Sequence, residues 1–468
     1  MINFKVMKII RRKATAVLLI ICMLTIILPA GMNSQGATSY NGVTLSRSDY
    51  DYAPSVMIGD GSQIKMWWGG GTGAGDGIYY STLSGGGWST PLLVMQKSAS
   101  GWDGQHVCDP SVIKGSFIYS GTTYSYAMYY TATYDSIGYD SHVGVAFSNN
   151  GTTWVKNAAN PILSPTGDAT PPTLQYGAGM QTAYVSGGLV TIMYFDSTGA
   201  GNKLYMVTST NGINFSGKTL LPNPLSYEHA GDISYSPSES KWYVMTKNGN
   251  DEEIFIYETS GSALTSTWNY KGNISSSTTG NVRNHNPGWL RSPNGDIYKE
   301  AVTGYKYIYY GTGTTSAGTW DIGQSIYTNG WELNGPGNKQ GWVANNIIND
   351  TGPSASGQWI FATNAADPHL DSPALEFPAS SYSKVQVNIA NQNTDNKGTI
   401  YFKTAAENFY SQDKTVTFTC TNGGGWFTHT INMASNAKWT GKIKGIRIDP
   451  IETGSGGAMG IDYIRLTN

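Results

Sequence analysis

From residue 40 onward the chain is written in short apolar runs broken by Gly, Asn, Pro and Ser. Runs of roughly four to eight residues, rich in Val, Ile, Tyr and Trp and bounded by turn formers, predict β-strands. One unit shows the pattern most fully. Val107-Cys108-Asp109-Pro110-Ser111-Val112-Ile113 is followed by a turn at Lys114-Gly115-Ser116 and an aromatic strand, Tyr126-Ala127-Met128-Tyr129-Tyr130. A third strand ends in Ser148-Asn149-Asn150-Gly151-Thr152-Thr153-Trp154. The unit recurs imperfectly. A first copy opens at Ala53-Pro54-Ser55-Val56-Met57 and closes at Trp88. A third spans Gly179 to Phe215 and a fourth Asp232 to Trp268. A fifth opens at Asn286-Pro287-Gly288-Trp289-Leu290 and closes near Trp320 and Tyr327.

A single small sheet cannot bury both of its faces. Radial packing of five such sheets does so and leaves no long exposed edge, so residues 40–330 are expected to form a five-bladed β-propeller. A sandwich with regular turns is the alternative, but it does not call for a repeated Asn-Gly-x-x-Trp/Phe ending. The pattern shifts near Gly330. Residues 331–468 alternate in six short strands, among them Lys384 to Ile389 and Met459 to Leu466, which predicts a β-sandwich of the jelly-roll kind. The fold class is therefore all-β, with no helix longer than two turns expected after the N-terminus.

Composition sharpens this picture. Charged residues make up 13% of the 468, about half the usual share, while Gly numbers 58 and Tyr 31. A net charge of −2 gives no electrostatic reason to expect nucleic acid. Aromatic-rich surfaces with few charges suit a neutral polar ligand such as a polysaccharide or oligosaccharide, although most of these rings are expected in the core. Lys5, Lys8, Arg11, Arg12 and Lys13 precede an apolar run from Ala14 to Ala30, then small and polar residues. This reads as an export signal over residues 1–37, with an uncleaved anchor as the alternative. The mature protein is expected to be secreted, monomeric and off the membrane. Of three cysteines, Cys22 falls in the signal, and Cys108 and Cys420 in different domains, so no disulfide framework is expected.

The innermost strands of a propeller line its axis, and residues at their starts face a shared pocket. Alignment of the copies on their first turns sets Ala53, Asp109, Gly179 or Met180, Gly231 or Asp232, and Pro287 at equivalent places. Asp51, Asp109 and Glu228 (or Asp232) then converge from three blades, with His106, His229 and His285 near the same rim. Clustered carboxyls suit glycosidic cleavage, in which one protonates the departing oxygen and another, ionised, activates water or attacks the sugar. Asp109 also reads as a turn residue before Pro110, and Asp51 as a solvated loop residue beside Asp49.

The Asp109-Pro110-Ser111-Val112-Ile113 start, the Asn-Gly-x-x-Trp endings and His285-Asn286 before a Pro-Asn-Gly turn resemble the five-bladed glycoside hydrolases of families 43 and 32. These include arabinanases, β-xylosidases and invertases. The resemblance implies a glycosidase with Asp51, Asp109 and Glu228 as catalytic residues, and His106, His229, Asp232, His285 and Asn286 about the substrate. It also implies an axial calcium supported through His285. The chain departs from the pattern at Ala53-Pro54, where an Asp is expected before Pro, and around Glu228, which lacks the family's flanking motif. A non-catalytic glycan-binding propeller is the alternative. The tail is similar to carbohydrate-binding modules of secreted glycanases. That likeness implies a structural Ca2+ shared by Glu332 and Asp462, with none required for the chemistry, and ligand contacts from Asp367-Pro368-His369-Leu370 and exposed aromatics such as Trp359 or Trp426.

Overall fold

Each repeat folds as an antiparallel sheet whose first strand lies innermost. The computed structural model describes residues 38–467 apart from 86, 135–139, 167–175, 198–202, 224–229, 249, 302–303, 316–318, 329, 332, 334–336, 338, 355–356, 364–365, 374 and 376. The expected export signal over residues 1–37, Glu228, His229 and Glu332 therefore lie outside the described residues. Among the described residues no helix is long and apolar enough to cross a membrane.

The inner strands are Asp51–Ile58, His106–Tyr119, Ala178–Ser186, Ala230–Ser236 and Arg283–Arg291. Each contacts the next, and the last pairs in parallel with the first through Leu290–Val56 and Arg291–Met57, which closes a ring of five blades. The fifth blade takes its outermost strand, Thr38–Leu45, from the other end of the domain. Apolar cores lie at all five seams between adjacent blades. Because strand side chains alternate between faces, neighbours in sequence serve different seams: Trp67 packs with Met128 toward the second blade, and Met66 and Trp68 with Tyr309 toward the fifth. Burial on both faces explains why these strands read as unbroken apolar runs. The blade-end turns latch onto the blade before. Gly151 O accepts the Trp67 indole N–H at 2.7 Å, and Gly212 O the Tyr129 hydroxyl at 2.9 Å. Both glycines have positive φ, and a Cβ at Gly151 would stand 2.9 Å from the Trp67 ring.

The second inner strand does not turn at Lys114-Gly115-Ser116 as the sequence suggests. It absorbs an irregularity between Lys114 and Phe117 and runs on to Tyr119, where Ser120-Gly121, both at positive φ, make the two-residue hairpin.

Residues from Gly330 onward form two packed sheets around one core of their own. One sheet carries Ala458–Thr467, Lys384–Asn391 and Trp426–Asn432; the other carries Lys442–Asp449, Lys397–Thr404 and Thr415–Thr419. The short strand Gly330–Trp331 pairs with the last strand at Arg465 and Ile464. Trp359 is not an exposed aromatic: it is buried in this core with its indole N–H on Asp350 at 2.8 Å. Asp462 is the extra residue where the last strand shifts register between Ile461 and Tyr463.

Candidate active site

One local irregularity recurs in every inner strand. The register slips by one residue between Tyr52 and Ser55, Cys108 and Ser111, Gly179 and Thr182, Ala230 and Asp232, and His285 and Gly288. These are β-bulges. Ala53, Asp109, Met180 and Asn286 occupy them with φ of 50°, 45°, 47° and 47°. Because an alanine and a methionine share this backbone with Asp109, the conformation belongs to the ring and not to one functional residue. The equivalent of Ala53 and Asp109 in the fifth blade is thus Asn286, not Pro287, and alignment on the turns was one residue out of phase there.

Above the bulges opens a cavity of about 570 Å³ whose floor includes Asp109, Met180 and Asn286. Its walls carry Tyr50, Tyr52, Tyr176 and Trp320, with His106, His285 and Cys108 between them. Tyr50, Tyr52 and His285 each meet Trp320 edge to face, His285 most closely with ring centres 4.5 Å apart. Below the floor the axis is filled. Arg291 Nη2 donates to Ser55 Oγ at 2.9 Å, its Nη1 lies 3.4 Å from both Ser111 Oγ and Ala183 O, and Asp232 Oδ2 stands 3.9 Å from Nε. One guanidinium therefore touches inner strands of four other blades.

Asp109 is buried at the floor. Its Oδ2 accepts the Tyr176 hydroxyl at 3.0 Å, and Asn286 Nδ2 lies 3.4 Å from Oδ1. Gln181 Nε2 fixes its carbonyl at 2.5 Å. Burial, with the nearby charge of Asp76, lifts its pKa above the usual carboxylate range against the pull of Tyr176, Cys108 and Asn286.

Asp76, which the sequence reading missed, opens the third strand of the first blade and also faces the cavity. It accepts hydrogen bonds from the Tyr50 and Tyr52 hydroxyls, the latter at 2.5 Å, and His106 Nδ1 stands 3.4 Å away. Burial works to raise its pKa, but His106, Tyr50 and Tyr52 together outweigh it and hold the group below the usual value. The run Gly69-Gly70-Gly71 makes this arrangement possible. A Cβ at Gly69 would lie 3.1 Å from the Tyr52 ring, one at Gly70 would meet Arg47 and Asp51, and one at Gly71 would lie 3.0 Å from the Tyr50 ring.

His106, His285 and Asn286 line the cavity with Asp109. Asp51 and Asp232 do not. Asp51 is fully buried behind the wall, where Oδ1 accepts Arg47 Nε and Trp68 Nε1, both at 2.6 Å. Asp232 lies beyond the bulge on the underside, accepting Trp289 N–H at 2.8 Å and the Ser234 hydroxyl at 2.7 Å. It is a seam residue, in the place that Ser55, Ser111 and Thr182 fill in the preceding blades. The carboxylates that line the cavity are Asp76, Asp109 and Asp251, with His106 and His285 beside them. Among the described residues the close group of potential ligands is Asp367, His369 and Asp449 in the sandwich, and there the Arg447 guanidinium already bonds both carboxylates.

No family model matches the chain, and no curated protein matches it. Among solved structures it is similar to a family 43 arabinoxylan arabinofuranohydrolase from Bacillus subtilis, at 11% identity and a TM-score of 0.41 over 91% of this chain and 99% of that one. It is also similar to the catalytic domain of a family 62 α-L-arabinofuranosidase from Coprinopsis cinerea, at 13% identity and a TM-score of 0.45 over 63% of this chain and 98% of that one. A family 117 glycoside hydrolase from Zobellia galactanivorans gives 10% identity and a TM-score of 0.45 over 63% and 91% of the two chains.

Proposed function

We propose that the chain is a secreted glycoside hydrolase that cleaves an oligosaccharide or polysaccharide in the axial pocket of its propeller. The observation that carries this reading is a buried carboxyl, Asp109, at the floor of a cavity of about 570 Å³ walled by tyrosine and tryptophan rings. Flat aromatic faces stack on the C–H faces of sugar rings, and a carboxyl kept from water retains its proton into the range where it can protonate a leaving oxygen. Described Lys and Arg side chains are absent from the lining, so a neutral glycan fits better than an anionic one. The sequence resemblance makes arabinan and xylan oligosaccharides the first substrates to assay. The leading charged and apolar segment supports export.

Ala53 favours a second reading. It stands at the first-blade bulge where the resembling enzymes carry a carboxylate, as a glycan-binding protein that had lost catalysis would show. Incubation with a panel of neutral oligosaccharides, with products separated and identified, distinguishes the two. Release of a sugar that stops with Asp109→Asn supports hydrolysis, and saturable binding without product on every glycan supports the binding protein. For the sandwich, a calcium shared by Asp462 and Glu332 remains a proposal; chelation should lower its melting temperature, since a ligand bound only to the native state stabilises it.

A further inference from the structure

We propose that Asp76 is the second reacting carboxylate of the pocket, taking the proton of the attacking water while Asp109 protonates the departing glycosidic oxygen. This assignment rests on the hydrolase reading. The first blade offers three positions for a carboxylate near the axis. Ala53 has none to give, and Asp51 is sealed behind the wall with Arg47 and Trp68. Asp76 reaches the cavity from the third strand of the same blade, paired across from Gly71 on the second.

The donors around each carboxyl separate their roles. Asp76 accepts the Tyr50 hydroxyl on Oδ1 and the Tyr52 hydroxyl on Oδ2, with His106 Nδ1 3.4 Å from Oδ2. Donors to a carboxylate favour its ionised form. Each oxygen of Asp76 accepts one tyrosine hydroxyl and keeps a lone pair to which a water in the cavity can donate. Asp109 has neutral donors, Tyr176, Asn286 and Cys108, and forms no ion pair among the described residues. Two carboxyls whose surroundings pull their protonation apart are the arrangement expected of an acid and a base.

The step balances as follows. The Asp109 proton passes to the glycosidic oxygen, and the bond from that oxygen to the anomeric carbon breaks with its electron pair remaining on the departing oxygen. The water oxygen bonds to the anomeric carbon from the opposite face, and the water proton passes to Asp76. Exchange with solvent then resets both groups. The released sugar has inverted configuration.

The test has one arm that needs no substrate. Titration of the carboxyl carbons of the full chain by 13C NMR, assigned with Asp76→Asn and Asp109→Asn, should show Asp76 ionising at lower pH than Asp109. The reverse order overturns the assignment, even if no glycan is ever cleaved; absence of turnover in the wild type on every glycan would instead sink the hydrolase reading. On a cleaved substrate, Asp76→Asn should lose ~10²-fold or more on natural and activated aryl glycosides alike. Asp109→Asn should spare the aryl glycosides, which need little protonation. Tyr52→Phe, a positioning change, should move the acidic limb of the kcat/KM profile to higher pH. Wild-type turnover in Asp76→Asn overturns the proposal, as does retained configuration in the product. So does a Glu228→Gln variant that loses natural substrates and keeps aryl ones, since that would make Glu228 the proton donor.

Discussion

The ring of bulges has two sides, and each buries a carboxylate. On the cavity side Asp109 takes a hydrogen bond from Tyr176, with Asn286 close by, and faces open space. On the underside Asp232 takes a backbone N–H and lies beside a buried guanidinium in a filled axis. By the bulge register the two positions are only two apart: Asp109 matches Ala230, and Ser111 matches Asp232. A buried acid is thus no guide to chemistry by itself. Who satisfies it, and whether space remains beside it, decides between a reacting group and a fastening.

The widest separation between the sides should appear when each acid is removed. Asp109→Asn should cut turnover of natural glycans ~10²–10⁴-fold, the usual worth of acid–base assistance, with the melting temperature nearly unchanged. Asn fits because it tolerates the left-handed backbone that Asp109 adopts. Asp232→Ala should do the opposite, lowering stability and leaving turnover per folded molecule within a few-fold. Loss of activity in both at equal melting temperature would erase the distinction.

Arg291 on the underside comes next. Arg291→Met leaves Asp232 buried with no compensating charge, and removal of one partner from such a pair costs about 3–5 kcal/mol. Asp232→Thr installs the hydroxyl that the third blade already uses at this position. Combined with Arg291→Met, it should recover part of the loss, because no buried charge then remains. Denaturant unfolding of both singles and the double gives the coupling directly; simple additivity would mean that the two residues do not act as a pair.

Much of the architecture could be read from the chain because its signals are local. Apolar runs, Gly/Asn turns and a recurring blade-end Trp or Phe each report a few consecutive residues. The bulge does not. It shifts phase by one residue, and the distance from bulge to turn differs between copies, so alignment on turns misplaced the fifth blade and put Asp232 on the pocket side. Asp76 escaped for a related reason. After Gly69-Gly70-Gly71 and a further Gly-rich turn it reads as a turn residue, and its tyrosine partners lie more than twenty positions away. The three glycines were the available signal, since consecutive glycines in a strand mark places where other groups come close. Asp51 looked like a pocket residue because nothing in sequence says that Trp68 and Arg47 close over it.

Asp51 supplies a smaller effect, visible in stability against pH. Burial raises its pKa from 3.8 to about 6, against the hydrogen bonds from Trp68 and Arg47. Below about 3.8 the group is protonated folded or unfolded and contributes nothing. As pH rises from there to about 6 the unfolded chain releases the proton first, so the native state is progressively disfavoured, and above about 6 the penalty stays constant. Asp51→Asn should therefore gain stability relative to wild type across that window, on the order of 3 kcal/mol, with turnover little changed. A pH-independent difference between the two proteins would show that Trp68 and Arg47 fully offset burial and leave the folded pKa of Asp51 equal to the unfolded one.

The smallest effects are expected at the seams, where they test whether the ring is uniform. Ser55 Oγ accepts Val112 N–H at 3.0 Å, Ser111 Oγ accepts Ala183 N–H at 2.9 Å, and Thr182 Oγ1 accepts Ile233 N–H at 3.1 Å. At the fifth seam Gly288 fills the same place, because a Cβ there would lie 2.0 Å from Pro54 O, and the parallel strand pairing takes over. Each hydroxyl satisfies an amide that would otherwise be buried without a partner, a loss of about 1–3 kcal/mol. Ser55→Ala and Ser111→Ala should lie toward the upper end of that range, since each also deprives Arg291 of an acceptor. Thr182→Val, which keeps the volume at a residue that does not hydrogen-bond Arg291, should lie at the lower end. Equal losses at all three positions would mean that the seam amide alone sets the effect, and that Arg291 finds replacement partners when one hydroxyl is removed.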